Sequence, residues 1–176
     1  CRTCKAPISP RYPMIELLLG LAGAAVVARA GWSMEALELF VLVFLLTASA
    51  FIDPATSPVP HPLWIALVTS GFLFGGARAM ADAAPDHLID RAIGAGGGGL
   101  VLGAVVVAAT GVFRRTGRIG ADETAMGWGD PLIVVGIGAY LGWRLLPMVI
   151  LLASVQGTIA ALALRAGRAP KGAHQH

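Results

Sequence analysis

Six apolar stretches separated by short polar segments dominate this chain of 176 residues. A helix needs about 20 apolar residues to cross the hydrocarbon core of a bilayer, and several of these stretches reach that length. Charged residues make up 13% of the sequence, roughly half of their usual share in a soluble domain. We therefore predict an all-α membrane protein, a polytopic bundle of about six transmembrane helices. The predicted spans are 13–30, 34–52, 62–80, 88–113, 131–146 and 147–164.

Four of the spans are predicted to begin at a proline. The first turn of a helix tolerates this residue because the N–H groups there have no intrahelical partner. The four prolines are Pro13, Pro62, Pro131 and Pro147.

The basic residues orient the predicted bundle, because cytoplasmic loops of membrane proteins carry an excess of lysine and arginine. With a cytoplasmic N-terminus, nine of the 13 basic residues fall on the cytoplasmic side. The other four fall outside: Arg29, Arg78, Arg91 and Arg144. We therefore predict that the N-terminus is cytoplasmic. The net charge of +3 is modest and does not indicate a nucleic-acid partner.

The fourth span contains the glycine-rich run GAGGGG, Gly94 to Gly99. Small residues in membrane helices let neighbouring backbones approach closely. A phosphate-binding loop is the alternative, but no P-loop lysine follows the run. The run therefore predicts tight helix packing.

Asp53 and Asp130 stand apart from the other acids. Asp53 ends the second predicted span and Asp130 begins the fifth. These spans cross the membrane in opposite directions, so both carboxylates are expected near the cytoplasmic surface. The acids near the outer helix ends are instead interpreted as ordinary solvated charges: Glu35, Glu38, Asp82, Asp86 and Asp90.

Two neighbouring carboxylates suit general acid–base catalysis. They cannot both ionise easily, so one stays protonated as the acid while the other draws a proton from an attacking water. Gly127 and Gly129 precede Asp130 and would let a substrate backbone approach it closely.

Other interpretations of the two aspartates are open on the residues alone. Asp130 would also serve as a cap of the fifth helix, where acids favour the helix N-terminus. Asp53 is followed by Pro54, a pair that favours a turn. An ion or proton pathway in a small transporter would use the same two acids.

Three segments resemble the type IV prepilin peptidases, which are bacterial GxGD intramembrane aspartyl proteases. Gly127–Asp130 reads GWGD and fits the GxGD motif, and MGWGD…GAYLGW resembles the longer family pattern around it. Phe51–Asp53 reads FID and matches the segment of the other family aspartate. The opening CRTCKAPISPRYPMIELLLG resembles the second CxxC of the family and the run after it. The chain departs from the family pattern at Leu132, where a lysine is usual.

The resemblance implies a catalytic pair at Asp53 and Asp130 and no cofactor for proteolysis. It also implies cleavage of the leader of type IV prepilins, or of type II secretion pseudopilins, at the cytoplasmic face of the inner membrane. Many members methylate the new N-terminus with S-adenosylmethionine, so the full-length protein would be expected to do the same. The rival hypotheses are an ion-coupled transporter and a non-catalytic assembly factor for pili or secretion.

Cys1 and Cys4 form a C-x-x-C pair. Two thiolates at this spacing can hold half of a tetrahedral zinc site, while free thiols or a redox pair are the alternatives. The resemblance implies zinc, held together with a second pair upstream. It divides the chain into a cytoplasmic remnant of the CxxC region at 1–12, a transmembrane aspartyl peptidase domain at 13–166 and a disordered cytoplasmic tail at 167–176.

Glu16 lies about one turn into the first predicted span, where an unpaired charge is costly. An ion pair with Arg11 and a contact with a basic residue of the substrate leader both account for it. We therefore keep Glu16 as a candidate for the approach of substrate, beside Gly127 and Gly129.

Overall fold

The computed structural model of the protein describes residues 9–52, 61–120 and 122–167. Within these ranges every regular element is an α-helix, and each helix is long and apolar enough to cross a membrane. The prediction of an all-α, multi-pass membrane fold is confirmed. The helices are α1 (Arg11–Ala30), α2 (Met34–Ile52), α3 (His61–Ala81), α4 (Asp86–Arg115) and α5 (Gly129–Gly167).

Helix α5 contains the fifth and sixth predicted spans. Its 39 residues would measure about 58 Å if they were straight, nearly twice the thickness of the hydrocarbon core. The helix is broken at Gly142, whose φ of 72° and ψ of −178° belong to a region that essentially only glycine adopts. The predicted break between residues 146 and 147 is therefore wrong. Pro147 lies inside the second half of α5.

The two halves of α5 fold back on each other at Gly142. Asp130, near the start of the first half, lines the same groove as Ser154 and Gly157 of the second half. On the neighbouring α4, Gly98 faces both Val134 and Leu146. The first half of α5 therefore runs antiparallel to α4 and the second half runs parallel to it. The two halves of α5 therefore run in opposite directions, while α5 counts as one of the five helices long and apolar enough to cross a membrane.

The glycine-rich run of α4 packs closely against α5. A Cβ atom on Gly94 would meet backbone atoms of Gly138, Gly142 and Trp143, and one on Gly98 would meet the side chains of Val134 and Leu146. By contrast, a Cβ on Gly96 or Gly97 would meet nothing within 4 Å. The predicted tight packing is confirmed for one face of the run, because only that face of α4 meets α5.

Helix directions define two ends of the bundle. The Arg91 end contains the start of α2, the end of α3, the start of α4 and the bend of α5, because Arg91 contacts Glu38 there and Gly142 adjoins Asp90. The Asp130 end contains the end of α2, the start of α3, the end of α4 and the start of α5. Among the described helices, α1 packs only against α2, so it lies at the edge.

A small apolar core joins three of the helices. Leu42 of α2, Leu67 of α3 and Tyr140 of α5 are buried together. The hydroxyl of Tyr140 donates a hydrogen bond of 2.7 Å to Ser70 Oγ of α3. The core holds α2 and α5 in one bundle. Asp53 follows the last residue of α2 in the sequence, and Asp130 lies in the first turn of α5.

Candidate active site at the Asp130 end

Asp130 lies in the first turn of α5 and is exposed. An acid at this position is stabilised by the partial positive charge of the helix N-terminus. The position therefore fits the capping interpretation as well as the catalytic one. The surroundings of the carboxylate bear on the choice between these two interpretations.

Asp130 borders a groove of about 560 Å³ between α4 and the two halves of α5. Apart from Asp130 and Ser154, the lining is carbon-rich, and the Ser154 hydroxyl already donates to the carbonyl oxygen of Ile150. The lining extends along the first half of α5 from Asp130 to Ile137, a rise of about 10 Å. The groove is thus an apolar channel two helical turns long with a carboxylate at one end.

The segment between α4 and α5 is tied back onto α4. The guanidinium of Arg114 donates to the carbonyl oxygen of Glu123 from Nη2 at 2.9 Å and from Nε at 3.3 Å. The N–H of Ala125 donates to Oγ1 of Thr110, a buried residue of α4, at 3.1 Å. These bonds fix the approach of the chain to the GWGD segment.

Gly127 precedes Asp130 by three residues and has open space beside it. Gly127 is exposed, and a Cβ placed on it would meet only the backbone nitrogen of Gly129, at 3.9 Å. A substrate backbone could therefore reach this side of the loop without meeting a side chain on Gly127. The role of the glycine pair in substrate approach stays a prediction.

Asp53 lies outside the described residues, but the last residue of α2, Ile52, lies inside them. Ile52 ends α2 at the Asp130 end of the bundle. The last described residue before Asp53 therefore lies at the same end of the bundle as Asp130. The pairing of the two carboxylates stays a prediction.

Glu16, Cys1 and Cys4 are the remaining predicted site residues. Glu16 is exposed on α1, the edge helix, toward the Asp130 end. Cys1 and Cys4 fall outside the described residues. Within the described ranges, no group of three or more His, Cys, Asp or Glu residues is placed to hold a metal ion.

The interpretation of Glu38 as a solvated acid is wrong. Glu38 is only 4% exposed, and Arg91 is 7% exposed. Arg91 Nη2 lies 2.6 Å from Glu38 Oε1, and Arg78 Nε lies 3.1 Å from Glu38 Oε2. Burial of the carboxylate is tolerated because two guanidinium groups neutralise it and occupy both of its oxygens. The sequence did contain a signal for this ion pair, because Glu38, Arg78 and Arg91 lie inside apolar spans and charged residues there are rarely unpaired.

Arg91 also bonds the backbones of two other helices. Its Nη1 donates to the carbonyl oxygen of Gly71 in α3 at 2.8 Å and to that of Ala139 in α5 at 3.4 Å. A side chain at position 75 would collide with Arg91, so Gly75 leaves the space that it occupies. One side chain of α4 thereby joins α2, α3 and α5.

The charged side chains differ between the two ends of the bundle. Three arginines at the Arg91 end have an acid within 4 Å, because Arg144 Nε lies 3.8 Å from Asp90 Oδ1 in addition to the pairs of Arg78 and Arg91. At the other end, Arg114 and Arg115 are in the last turn of α4 and Arg118 follows it. The cytoplasmic assignment of that end stays a prediction from the count of basic residues.

The sequence is similar to named proteins over almost its whole length. Prepilin leader peptidase/N-methyltransferase of Aeromonas hydrophila is 37% identical over 168 residues, which cover 93% of this chain and 52% of the relative. The protein of the same name from Myxococcus xanthus (strain DK1622) is 37% identical over 171 residues, which cover 96% of this chain and 47% of the relative. The one from Neisseria gonorrhoeae is 32% identical over 178 residues, which cover 99% of this chain and 55% of the relative. The chain spans about half the length of these relatives.

No solved structure matches the chain. The sequence model of the type IV leader peptidase family matches residues 39–162, more than half of the chain. The match includes the end of α2, all of α3 and α4, and the GWGD segment with the groove behind it. The chain belongs to the type IV leader peptidase family.

Proposed function

We propose that this chain is the peptidase part of a membrane enzyme that removes the leader of prepilins or pseudopilins, with Asp53 and Asp130 as its catalytic pair. The domain that carries this activity would be 13–166, in the inner membrane of a bacterium. Family membership supports the reaction class, and the names of the relatives support the substrate class.

The observation that carries the proposal is the position of Asp130 at the mouth of the apolar groove. A substrate cut beside a hydrophobic helix presents a peptide bond and, directly after it, apolar side chains. The carboxylate would meet the bond while the groove receives the first turns of the apolar segment.

The two aspartates would divide the acid and base functions. The ionised carboxylate takes a proton from water as the water oxygen adds to the peptide carbonyl carbon. The protonated carboxyl gives its proton during collapse of the adduct, which breaks the C–N bond and frees a carboxyl-ended leader and a new amine. Glu16 would contact a basic residue of the leader, and Gly127 and Gly129 would admit its backbone.

The zinc ion and the S-adenosylmethionine that the family resemblance implies are part of the same proposal. Cys1 and Cys4 would supply two of the four ligands of a zinc ion, with the other two coming from elsewhere in a longer protein. Methylation of the new amine with S-adenosylmethionine would be an activity of that longer protein. Transfer of a labelled methyl group to the processed pilin tests it.

The decisive experiment expresses Asp53→Asn and Asp130→Asn variants with a prepilin and follows the processed band. Both variants should leave the precursor uncut, because an amide neither accepts the proton from water nor serves as the acid. Asp122→Asn, which changes an exposed acid of the preceding loop, is the matched control and should cleave normally. Normal cleavage by Asp130→Asn would exclude the pair. Ion flux in liposomes without any cleavage would favour a transporter.

A further inference from the structure

The loop that leads into α5, residues 122–128, is held against one face of α4. Thr110 and Arg114 of α4 hydrogen-bond to the backbone of this loop. A Cβ on Gly103 of α4 would lie 4.0 Å from the ring of Trp128. Each residue turns an α-helix by about 100°, so the three positions of α4 lie within about 40° of one another. One stripe along α4 therefore determines where the loop lies.

The bond that Thr110 makes differs from those of two other threonines. The hydroxyls of Thr69 and Thr116 donate to carbonyl oxygens about one turn back along the chain. Thr110 Oγ1 instead accepts the N–H of Ala125, 15 residues away, at 3.1 Å. Thr110 is only 8% exposed, so water has little access to this oxygen. Loss of the acceptor would leave a partly buried N–H unsatisfied, which is unfavourable.

The residue after Ala125 belongs to the candidate site. Met126 is half-buried and lines the apolar groove together with Asp130. This part of the groove wall comes from the loop, so its position depends on the bonds that hold the loop. A shift of the loop would move Met126 relative to the carboxylate.

The first turn of α5 depends on the same loop. The helix begins at Gly129, and Asp130 lies in its first turn. The first four N–H groups of a helix have no intrahelical partner, so the chain that leads into a helix helps to hold its first turn. The glycines of α4 pack on α5 from Val134 onward, about one turn beyond Asp130. The bond of Thr110 supports the turn from its other side.

We propose that Thr110 is a positioning residue for the cleavage reaction. Through the N–H of Ala125 it holds Met126 and the first turn of α5 in the arrangement in which the Asp130 carboxylate meets the peptide bond. This inference rests on the proposed function. Thr110 itself contacts no reacting atom, so the acid and base functions stay with the aspartates. A misplacement of about 1 Å can lower the rate of a reaction about 10²-fold.

The first test removes the acceptor and keeps the shape of the side chain. Thr110→Val should lower kcat for prepilin cleavage about 10- to 100-fold, because the geometry at Asp130 is lost. KM should change little, since the lining that comes from α4 and α5 stays in place. Thr110→Ser keeps the acceptor oxygen and should restore kcat. Thr116→Val, at the end of the same helix, is the matched control and should retain full kcat.

The second test removes the donor and leaves Thr110 in place. Incorporation of lactic acid at position 125 keeps the methyl group of alanine and replaces the backbone N–H by an ester oxygen. This chain should lose kcat by about the same factor as Thr110→Val. Because both changes break one bond, the combination should lose no more than either change alone. If Thr110→Val unfolds at a lower temperature, the chain with lactic acid decides.

An unchanged kcat in the chain with lactic acid, or a kcat for Thr110→Ser as low as that of Thr110→Val, would overturn the inference. Either result would leave the proposed function intact, because cleavage would still depend on Asp130. A bond that serves stability alone would lower the thermal unfolding midpoint and leave kcat unchanged well below that temperature. A wild-type chain that cleaves nothing would instead contradict the proposed function, and the inference would fall with it.

Discussion

Arg91 Nη2 and Glu38 Oε1 lie 2.6 Å apart in a part of the bundle where both side chains are almost completely buried. The pair joins α4 to α2, and the second nitrogen of the same guanidinium bonds α3 and α5. This contact fixes four helices at the end of the bundle opposite to the candidate active site. The consequences for stability and activity can therefore be measured separately.

Removal of the Arg91 guanidinium should destabilise the protein strongly. Arg91→Met leaves the Glu38 carboxylate with Arg78 alone and frees two backbone carbonyls, so we expect a loss of about 3–5 kcal/mol. Thermal unfolding in detergent provides the measurement. The control is Glu35→Gln, because Glu35 lies 3.7 Å from Arg78 and its side chain is 54% exposed. That change should cost less than about 1 kcal/mol. Equal effects of the two substitutions would contradict the conclusion that Arg91 holds the four helices together.

Two glycines of the same run should respond oppositely to alanine. Gly94→Ala places a methyl group against the backbone of α5, which cannot move aside, and should cost about 1–3 kcal/mol. Gly96→Ala meets nothing within 4 Å and should be neutral or stabilising by up to about 1 kcal/mol, since alanine favours helix. The comparison of the two unfolding midpoints is the measurement. A Gly94→Ala variant as stable as Gly96→Ala would show that the helices do not cross there.

The bend of α5 should depend on Gly142. With φ at 72°, any other residue is strained, and a Cβ would also collide with the Asp90 carboxylate. We expect Gly142→Ala to cost about 1–3 kcal/mol. Gly20→Ala in α1, where a Cβ meets nothing within 4 Å, is the control. A cysteine pair at Ile133 and Ala153, which line the same groove from opposite halves, should crosslink in the wild-type background and less after Gly142→Ala.

Filling the groove should weaken substrate binding without changing the chemistry. Ala153→Trp adds bulk to the lining next to Ile133 and Ile150 and should raise KM for a prepilin about 10-fold or more, the effect of roughly 1.4 kcal/mol of lost binding. The value of kcat should change little, because the variant leaves both aspartates in place. Leu152→Trp, on an adjacent residue that is 52% exposed and outside this lining, should leave both constants near wild type. A fall in kcat at constant KM would show that the groove does not receive substrate.

The apolar pattern predicted most of the fold because a bilayer leaves a chain few options. Spans of the required length must be helices, and the polar segments between them must reach the surface. The bounds of α1 to α4 agree with the predicted spans to within two residues. Counting the spans also placed the end of α2 and the start of α5 at one end of the bundle, which is a consequence of helix direction alone.

The local sequence pattern gave wrong predictions where a contact between residues far apart in the chain determines the structure. Pro147 looked like the start of the sixth helix, but the break lies at Gly142, where α5 passes Asp90 and Gly94 of α4. Glu38 looked like a solvated acid because its guanidinium partners, Arg78 and Arg91, are distant in the sequence. Hydropathy registers the cost of a buried charge and carries no information about its partner.

The sequence by itself determined the membrane-spanning helices, their direction and the presence of an acid at the start of α5. Only the tertiary structure decided which glycines pack, where α5 turns and which charges are buried. The physical reason is that insertion of a helix depends on the summed transfer free energy of its own residues. The position of a groove or an ion pair depends on the approach of several helices, and that approach is set by side chains far apart in the chain.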